Sequence, residues 1–290
     1  MRVALVVNPT SGRRKGEQIA QTAAHELAAL GHQIDVIRGA TAAEAKARLA
    51  QVLETGDKPD VVAVVGGDGA LHALLTTLVK HDVTTAMIPA GSGNDVARHL
   101  NVRDPLRAIE AIHRHHTRRI DLIETDGERL VATVVASGFD SKANERADAM
   151  TWPRGNLRYS LAIVAELRAF EPLSFTIEAD GQVHHRQAML VAVGNLPSFG
   201  GGLRIAEGAQ SDDGLLDVIV IHPVSKLKLL RVFPMLYRGT HVELPVFERM
   251  RAKSVTWASD GVVAYGDGER IGPLPLTANV KPAALEVVVG

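Results

Sequence analysis

A run of apolar residues that ends in a cluster of glycines sets the strongest constraint on the fold of this chain. Val61–Val65 is followed by Gly66-Gly67-Asp68-Gly69 and then by a stretch with helical spacing. Continuous apolar runs of this length are typical of parallel strands that are buried on both faces. Glycines after such a strand let backbone N–H groups turn towards an anion, and the N-terminus of the next helix attracts negative charge. The segment therefore predicts an α/β domain with a phosphate-binding loop.

Asp68 is the unusual member of this loop, because phosphates repel a carboxylate. Either Mg²⁺ with its water shell or a proton to be abstracted would remove that conflict. A second interpretation is a tight turn in which Asp68 caps its own helix. Both interpretations keep the strand, the turn and the helix.

Two further loops follow neighbouring predicted strands. Pro89–Asp95 contains Gly91-Ser92-Gly93, with Asn94 or Asp95 available to cap the next helix. The first strand ends in Asn8–Gly12, which carries hydroxyl groups and precedes three cations. Loops after adjacent parallel strands open at the same edge of a sheet, where such sheets bind ligands. Together the loops predict a nucleotide or another polyphosphate between them.

Other nucleotide-binding classes fit these loops poorly. The chain contains no G-x-x-x-x-G-K-[ST] segment, so it is not predicted to be a P-loop NTPase. The third glycine of a dinucleotide-binding fingerprint is replaced by His72 after the first loop and by Val96 after the second. A Rossmann dehydrogenase is therefore disfavoured.

The hydrophobic pattern changes near residue 125. Strands and helices alternate before it, with predicted helices at Ile19–Leu30, Ala42–Leu53 and Leu71–Val79. Beyond it, short strands dominate, starting with Leu173–Glu178, an Asp180-Gly181 turn and a second run at Ala188–Val193. Helical stretches are predicted at Leu157–Arg168 and Lys226–Tyr237. We therefore predict an α/β domain over 1–125 and a mainly antiparallel domain over 126–290.

Bulk properties exclude several classes of protein. A formal net charge of −1 gives no global attraction to nucleic acid. The absence of cysteine excludes a disulfide framework and thiolate chemistry. No segment approaches the roughly 20 consecutive apolar residues that cross a bilayer.

The loops resemble the catalytic family of diacylglycerol kinases, which includes sphingosine kinases and related bacterial lipid kinases. The family motifs NPxSG, GGDG and PxGTGND correspond to Asn8–Gly12, Gly66–Gly69 and Pro89–Asp95. GGDG alone is shared with NAD kinases and phosphofructokinases. The stretch from Ala136 to Tyr159 looks like the actinobacterial soluble enzymes. Later motifs match in order at Gly138-Phe139-Asp140, Gly200–Leu203, Asp213–Asp217 and Asp267–Glu269.

The resemblance implies a fold and a reaction. The fold is an N-terminal α/β nucleotide-binding domain, similar to phosphofructokinase and NAD kinase, followed by a β-sandwich domain. The reaction is Mg²⁺-dependent transfer from ATP to diacylglycerol, which gives phosphatidic acid. Other lipid alcohols, such as a sphingoid base or phosphatidylglycerol, and NAD remain alternative acceptors. The resemblance also implies a cytoplasmic protein that touches the inner face of the membrane, and it is compatible with a homodimer.

The resemblance also implies residue roles. Asp213 would bind Mg²⁺ with the main-chain carbonyls of Gln210 and Leu215. Glu269 would be the general base, near Asp267 and Asp68, although Asp267-Gly268 alone indicates a hairpin turn. Asp140 would hold the lipid or make local backbone bonds. The ATP contacts would be Asn8, Pro9, Thr10, Ser11, Gly12, Thr41, Gly66, Gly67, Asp68, Gly69, Ala70, Leu71, His72 and Ser92.

Three positions after GGDG depart from the family pattern. The usual hydroxyl residue is Ala70, the usual asparagine is His72 and the usual glutamate is Ala73. Losing the hydroxyl removes one phosphate contact, which is worth about 1 kcal/mol for a neutral hydrogen bond. The departures also suggest a non-catalytic nucleotide- or lipid-binding regulator, whereas retention of Asp68, Asp213, Asp267 and Glu269 favours an enzyme.

Two further segments have two interpretations each. The apolar face of Leu157–Phe170 fits a packed core or a lipid channel. The basic stretch His113–Arg119 fits a solvated helix end or a membrane-docking patch.

Overall fold

The computed structural model describes residues 1–7, 15–55, 58–139, 150, 171–225, 232 and 234–290 of the 290-residue chain. These residues form a ten-stranded sheet and a six-stranded sheet. The helices are α1 (Lys15–Ala29), α2 (Ala42–Glu54), α3 (Asp68–His81), α4 (Asp95–His99) and α5 (Pro105–Arg114). The first eight strands are β1 (Arg2–Val7), β2 (Gln33–Arg38), β3 (Val61–Gly66), β4 (Thr85–Pro89), β5 (Thr117–Thr125), β6 (Arg129–Val131), β7 (Val134–Gly138) and β8 (Leu173–Ala179). The remaining strands are β9 (Gln182–Ala188), β10 (Leu190–Gly194), β11 (Leu216–Ile221), β12 (Phe247–Ala252), β13 (Ser254–Ala258), β14 (Val263–Gly266), β15 (Glu269–Pro273) and β16 (Leu276–Val288).

The N-terminal part is the expected parallel α/β arrangement. Its strands lie in the order β2-β1-β3-β4, and all three pairings are parallel. Every residue of β3 and β4 is buried, which explains their continuous apolar sequences. Helix α1 packs beside α5, and α2 packs beside α3. The carboxyl ends of β1, β3 and β4 consequently lie at one edge of the sheet, where the predicted loops begin.

The final strand, β16, connects the parallel strands to the C-terminal part. Its Val287 pairs in parallel with Thr85 of β4, while Leu276 pairs with Trp257 of β13. Strand β5 runs antiparallel along β16, with a bulge between Lys281 and Leu285. One sheet therefore continues across the position where the pattern changes, and the limit at residue 125 stays a prediction.

The C-terminal part is antiparallel, as the short alternating strands predicted. The six-stranded sheet has the order β12-β11-β10-β7-β14-β15. A buried cluster that includes Phe175, Val191, Val218 and Trp257 draws on both sheets. This packing of inward-facing apolar residues is that of a β-sandwich.

One hairpin differs from the sequence interpretation. Asp180 and Gly181 form the turn, with φ of 45° and 82°, but the partner of β8 is the polar strand β9. Alternate β9 side chains are exposed, so its sequence lacks the apolar run that marks a strand. The run at Ala188–Val193 mostly belongs to β10 in the other sheet.

Only part of the helical stretches predicted in the second half of the chain lies within the described residues. Residues 234–238 are helical, as expected for the end of Lys226–Tyr237. Leu157–Arg168 lies outside the described residues. The basic stretch His113–Arg119 divides between the end of α5 and the start of β5, so its first residues are a helix end. Within the described residues, no helix combines the length and apolarity needed to span a membrane.

A hydrogen bond between the two sheets supplies a test of the sandwich. Trp257 Nε1 donates to Ser137 Oγ at 2.9 Å, and both residues are fully buried. Ser137→Ala should lower the free energy of unfolding by about 1–3 kcal/mol, because the indole N–H loses its acceptor. Urea denaturation measures this change. The partly exposed Ser254→Ala in β13 is the control, and an equal loss in both variants would contradict the assignment.

Candidate active site

A cleft of about 1170 Å³ lies between the parallel strands and the C-terminal sheets. The two glycine loops, at Gly67–Gly69 and Gly91–Gly93, form one wall. The opposite wall comes from Arg129, the turn around Asp267 and the Gly200-Gly201 loop. The sequence prediction that the glycine loops share one ligand site is therefore consistent with their position.

The two glycine loops touch through their backbones. A Cβ atom added to Gly91 would lie 2.7 Å from the Cα of Gly67, so a side chain has no room there. Asn94 closes the second loop: its Oδ1 accepts from Gly91 N at 3.0 Å, and its Nδ2 donates to Gly91 O at 2.8 Å. Asn94 has a φ of 57°, a left-handed conformation that asparagine tolerates better than most residues.

Asp68 belongs to the first glycine loop but caps α4, the helix that follows the second glycine loop. Its Oδ2 accepts from Asp95 N at 2.9 Å, and its Oδ1 accepts from Val96 N at 3.0 Å. Burial, with the charges of Asp95 and Asp267, raises the pKa of the Asp68 carboxyl, although the two backbone N–H groups lower it. The alternative interpretation, in which Asp68 caps its own helix, is not observed, because Gly67 is the N-cap residue of α3. Asn94 is the N-cap residue of α4, as one of the two candidates, but its side chain turns back to Gly91 and makes no capping hydrogen bond.

Asp95 joins the second glycine loop to the C-terminal part. Its carboxylate is buried and accepts from Ser198 Oγ at 2.9 Å and from Gly201 N at 2.7 Å. Arg98 pairs with the same carboxylate at 2.6 Å. Sequence reasoning placed Asp95 in a motif but missed its partners, because nothing in the pattern links residue 95 to residues 198 and 201.

Asp267 is held by four donors. It accepts from Ala132 N and Thr133 N at 2.9 Å each, from Thr133 Oγ1 at 2.7 Å, and from His72 Nδ1 at 3.0 Å. Asp267 and Gly268 both have positive φ, at 52° and 86°, and connect β14 to β15. The hairpin turn indicated by Asp-Gly is therefore present, and it carries a buried carboxylate that anchors the cleft.

Of the three carboxylates predicted to be catalytic, that of Glu269 is the exposed one. It lies across from Gly69, since a Cβ atom added there would be 3.6 Å from Glu269 Oε1. Glu269 has no hydrogen-bond partner among the residues that the structure describes. Its oxygens thus face the cleft beside the first glycine loop, whereas those of Asp68 and Asp267 are occupied.

The remaining predicted nucleotide contacts have different surroundings. Ser92 lines the cleft, and the side chain of Leu71 is buried in the core. The hydroxyl of Thr41 accepts from Glu44 N at 3.1 Å and caps α2, beside Ala42 of the cleft wall. Asn8–Gly12 and Asp140 lie outside the described residues. Gly66 is buried at the end of β3, and Gly67, Asp68, Gly69, Ala70 and His72 line the cleft.

Basic side chains that the motifs did not identify also line this cleft. They are Lys46 of α2, Arg129 of β6 and Arg270 of β15. Arg129 donates to the backbone carbonyl of Ile271, which holds its guanidinium beside the turn. Cations on several walls suit a polyphosphate. They come from unrelated parts of the sequence, so only the fold brings them together.

The predicted metal ligands show a competing interaction. Asp213 forms an ion pair with Arg251, and its Oδ1 accepts from Leu215 N at 3.1 Å. No cluster of three or more His, Asp or Glu side chains suited to a metal occurs in the described residues. The guanidinium of Arg251 already pairs with the single carboxylate, that of Asp213, and this disfavours a metal ion in this arrangement. The Mg²⁺ site at Gln210, Asp213 and Leu215 therefore stays a prediction.

Comparison with known proteins covers both parts of the chain. The model of the diacylglycerol kinase catalytic domain matches residues 2–125. The model of the YegS C-terminal NAD kinase beta sandwich-like domain matches residues 133–289. A diacylglycerol kinase of Mycobacterium tuberculosis is 38% identical over 294 residues, which span 99% of this chain and 94% of that protein. A diacylglycerol kinase of Bacillus subtilis is 25% identical over 94% of this chain and 91% of its own.

A solved structure supports the same fold. The crystal structure of a diacylglycerol kinase from Bacillus anthracis aligns with a TM-score of 0.74 and 19% identity. The alignment covers all of this chain and 97% of that one. The family models and the mycobacterial relative together show that this chain belongs to the diacylglycerol kinase catalytic-domain family.

Proposed function

We propose that this protein is an ATP-dependent lipid kinase that phosphorylates the hydroxyl of diacylglycerol and releases phosphatidic acid. The proposal rests on family membership and above all on one observation. Glu269 has free carboxylate oxygens beside a glycine loop at a helix N-terminus. A base next to a phosphate site is the minimum that phosphoryl transfer to an alcohol requires.

The proposed reaction assigns each change in bonding. The lipid oxygen attacks the γ-phosphorus of ATP while its proton moves to a Glu269 oxygen. The bond between that phosphorus and the β–γ bridging oxygen breaks, and ADP leaves with the electron pair. Positioning and charge neutralisation supply most of the rate enhancement in such reactions. Here they are assigned to the N–H groups of the glycine loops and to Lys46, Arg129 and Arg270.

Mg²⁺ bound to the phosphates of ATP would neutralise charge on the transferred group. Asp68 is a poor ligand for it, because both of its oxygens accept backbone N–H groups. We therefore assign Asp68 to holding the two loops in register. The nucleotide phosphates themselves would carry the ion.

The lipid would reach the cleft from a membrane surface. Tyr237 is 48% exposed and lines the cleft near the Gly200-Gly201 loop, where an apolar contact would suit a lipid. The position of Asp140, the predicted lipid contact, is not described. The acceptor is therefore best identified by a direct assay.

Purified protein should transfer label from [γ-³²P]ATP to diacylglycerol in mixed vesicles with Mg²⁺. Labelled phosphatidic acid, separated by thin-layer chromatography, is the expected product. Parallel reactions offer a sphingoid base, phosphatidylglycerol or NAD as acceptor. A larger yield with another lipid would identify that lipid as the substrate. Labelled NADP would overturn the proposal of a lipid kinase, and the absence of any labelled product would favour a non-catalytic regulator.

Glu269→Gln tests the base. The amide has nearly the same shape but cannot accept the proton, so kcat should fall by roughly 100-fold or more. The affinity for ATP, measured by calorimetry at about pH 6, should stay within about twofold, because no contact with the nucleotide is assigned to Glu269. Glu178→Gln, on the exposed side of β8, is the matched control. An unchanged kcat would exclude Glu269 as the base.

Asp68→Asn tests the loop connection. Asparagine keeps one acceptor but directs an NH₂ group at the second backbone N–H, which should cost about 1–3 kcal/mol of stability. The affinity for ATP should fall as well, because the loops lose their register. Asp104→Asn is the control: Asp104 caps α5, and asparagine caps a helix equally well. Normal stability and ATP affinity with lost turnover would instead place Asp68 in the chemistry.

A further inference from the structure

His72 is a cleft residue whose chemistry the family motif does not supply. It replaces the usual asparagine and lies in the second turn of α3, whose N-terminus forms the first glycine loop. Its side chain is 19% exposed, and it lines the cleft. Asp267 contacts one side of the imidazole ring, and the other side faces the cleft, where a ligand can reach it.

Asp267 fixes the orientation of the imidazole. The Oδ2 of Asp267 lies 3.0 Å from His72 Nδ1, and that carboxylate is itself 1% exposed and bonded to Ala132 and Thr133. A carboxylate partner makes Nδ1 the N–H donor. Nε2 is then the ring nitrogen left for a ligand. This carboxylate–imidazole pair is preorganised, because three other donors hold Asp267 whether or not a ligand is bound.

The groups around His72 favour its protonated form. Asp267 and Glu269 face it from the β14–β15 turn, Arg129 faces it from β6, and Asp68 lies in the first turn of its own helix. Burial lowers the pKa of His72, but the hydrogen bond and charge of Asp267, with the charge of Glu269, raise it overall above its ordinary value; Arg129 opposes this increase. An imidazolium in the cleft can donate from Nε2 to an anion.

We propose that His72, oriented by Asp267, donates a charge-assisted hydrogen bond from Nε2 to the β- or γ-phosphate of the bound nucleotide. The neighbouring glycine loop lines the same cleft, and Glu269 lies beside it. Under the proposed function that loop would bind the same phosphate chain, and Glu269 would mark its reacting end. This inference rests on the proposed function only in assuming that the ligand is ATP. It assigns to His72 a charge that asparagine cannot supply.

The proposed contact makes nucleotide affinity depend on pH. The protonated imidazole is the form that binds, so the contribution is complete below the pKa of His72 and is lost as the pH rises through it. Because that pKa is raised, the loss lies above the ordinary value of about 6.5. Hydrogen bonds to charged groups are stronger than neutral ones, which corresponds to roughly a tenfold difference in Kd.

Calorimetric titration of ATP from about pH 6 to 9 should separate the wild type from His72→Asn. At the acidic end the wild type should bind ATP about tenfold more tightly, and the two Kd values should converge at the alkaline end. AMP, which lacks the β- and γ-phosphates, should show no difference between the proteins. ADP then shows which phosphate is contacted. Comparing two proteins cancels the titration of the nucleotide itself.

Three further measurements keep the test independent of folding and of lipid turnover. His72→Asn should retain the thermal midpoint of the wild type within a few degrees, because Asp267 keeps three donors. Glu269→Gln removes one charge that favours the imidazolium, so its loss of ATP affinity should begin at a lower pH. An NMR titration of the histidine ring should shift in the same direction.

Parallel pH profiles for wild type and His72→Asn would overturn the inference, as would an equal effect on AMP. Lipid phosphorylation with parallel profiles would leave the proposed function standing and remove only the role of His72. Conversely, pH-linked ATP binding without a labelled lipid would support the role of His72 and count against the proposed acceptor. Absence of nucleotide binding would overturn both.

Discussion

The two hydrogen bonds from the start of α4 to the Asp68 carboxylate hold the site together. They connect the loop after β3 to the helix after β4, so that the glycine loops act as one surface. The Gly67–Gly91 backbone contact depends on the same register, since Gly91 has no room for a side chain at that point and a Cβ atom at Gly67 would be tight. A helix N-terminus accepts this carboxylate readily, because its first N–H groups have no partner within the helix.

This arrangement divides the work among the acidic residues of the cleft. Asp68 and Asp267 receive two and four donors respectively, whereas Glu269 receives none from the described part of the chain. A carboxylate whose oxygens are both occupied by donors is a rigid anchor, and it has no oxygen free to reach a substrate hydroxyl even where burial raises its pKa, as in Asp68. In the proposed reaction the exposed Glu269 would therefore take the proton, and the anchored pair would keep the walls around it fixed.

The parts of the fold that depend only on residues close together in the sequence could be predicted. Val61–Val65 indicated a buried parallel strand, and the glycines after it indicated a loop, because both properties depend on neighbouring residues alone. Strand β9 was missed since its alternating exposed side chains carry no apolar signal. The cap on α4 was missed for a different reason: its donor and acceptor lie 27 and 28 residues apart.

Motifs and binding sites differ in the same way: a motif is a local pattern in the sequence, whereas a site depends on contacts between distant residues. The motifs directed attention to Asp95 and Asp267, and His72 stands where the family pattern has asparagine. Their partners Gly201, Thr133 and Asp267 follow only from the packing of two sheets. Because β16 pairs with strands from both parts, that packing is built into a continuous sheet. A change at Asp95 or Asp267 would therefore disturb the spacing of the cleft walls as well as the side chain itself. The cleft exists only while both halves of the chain remain in contact.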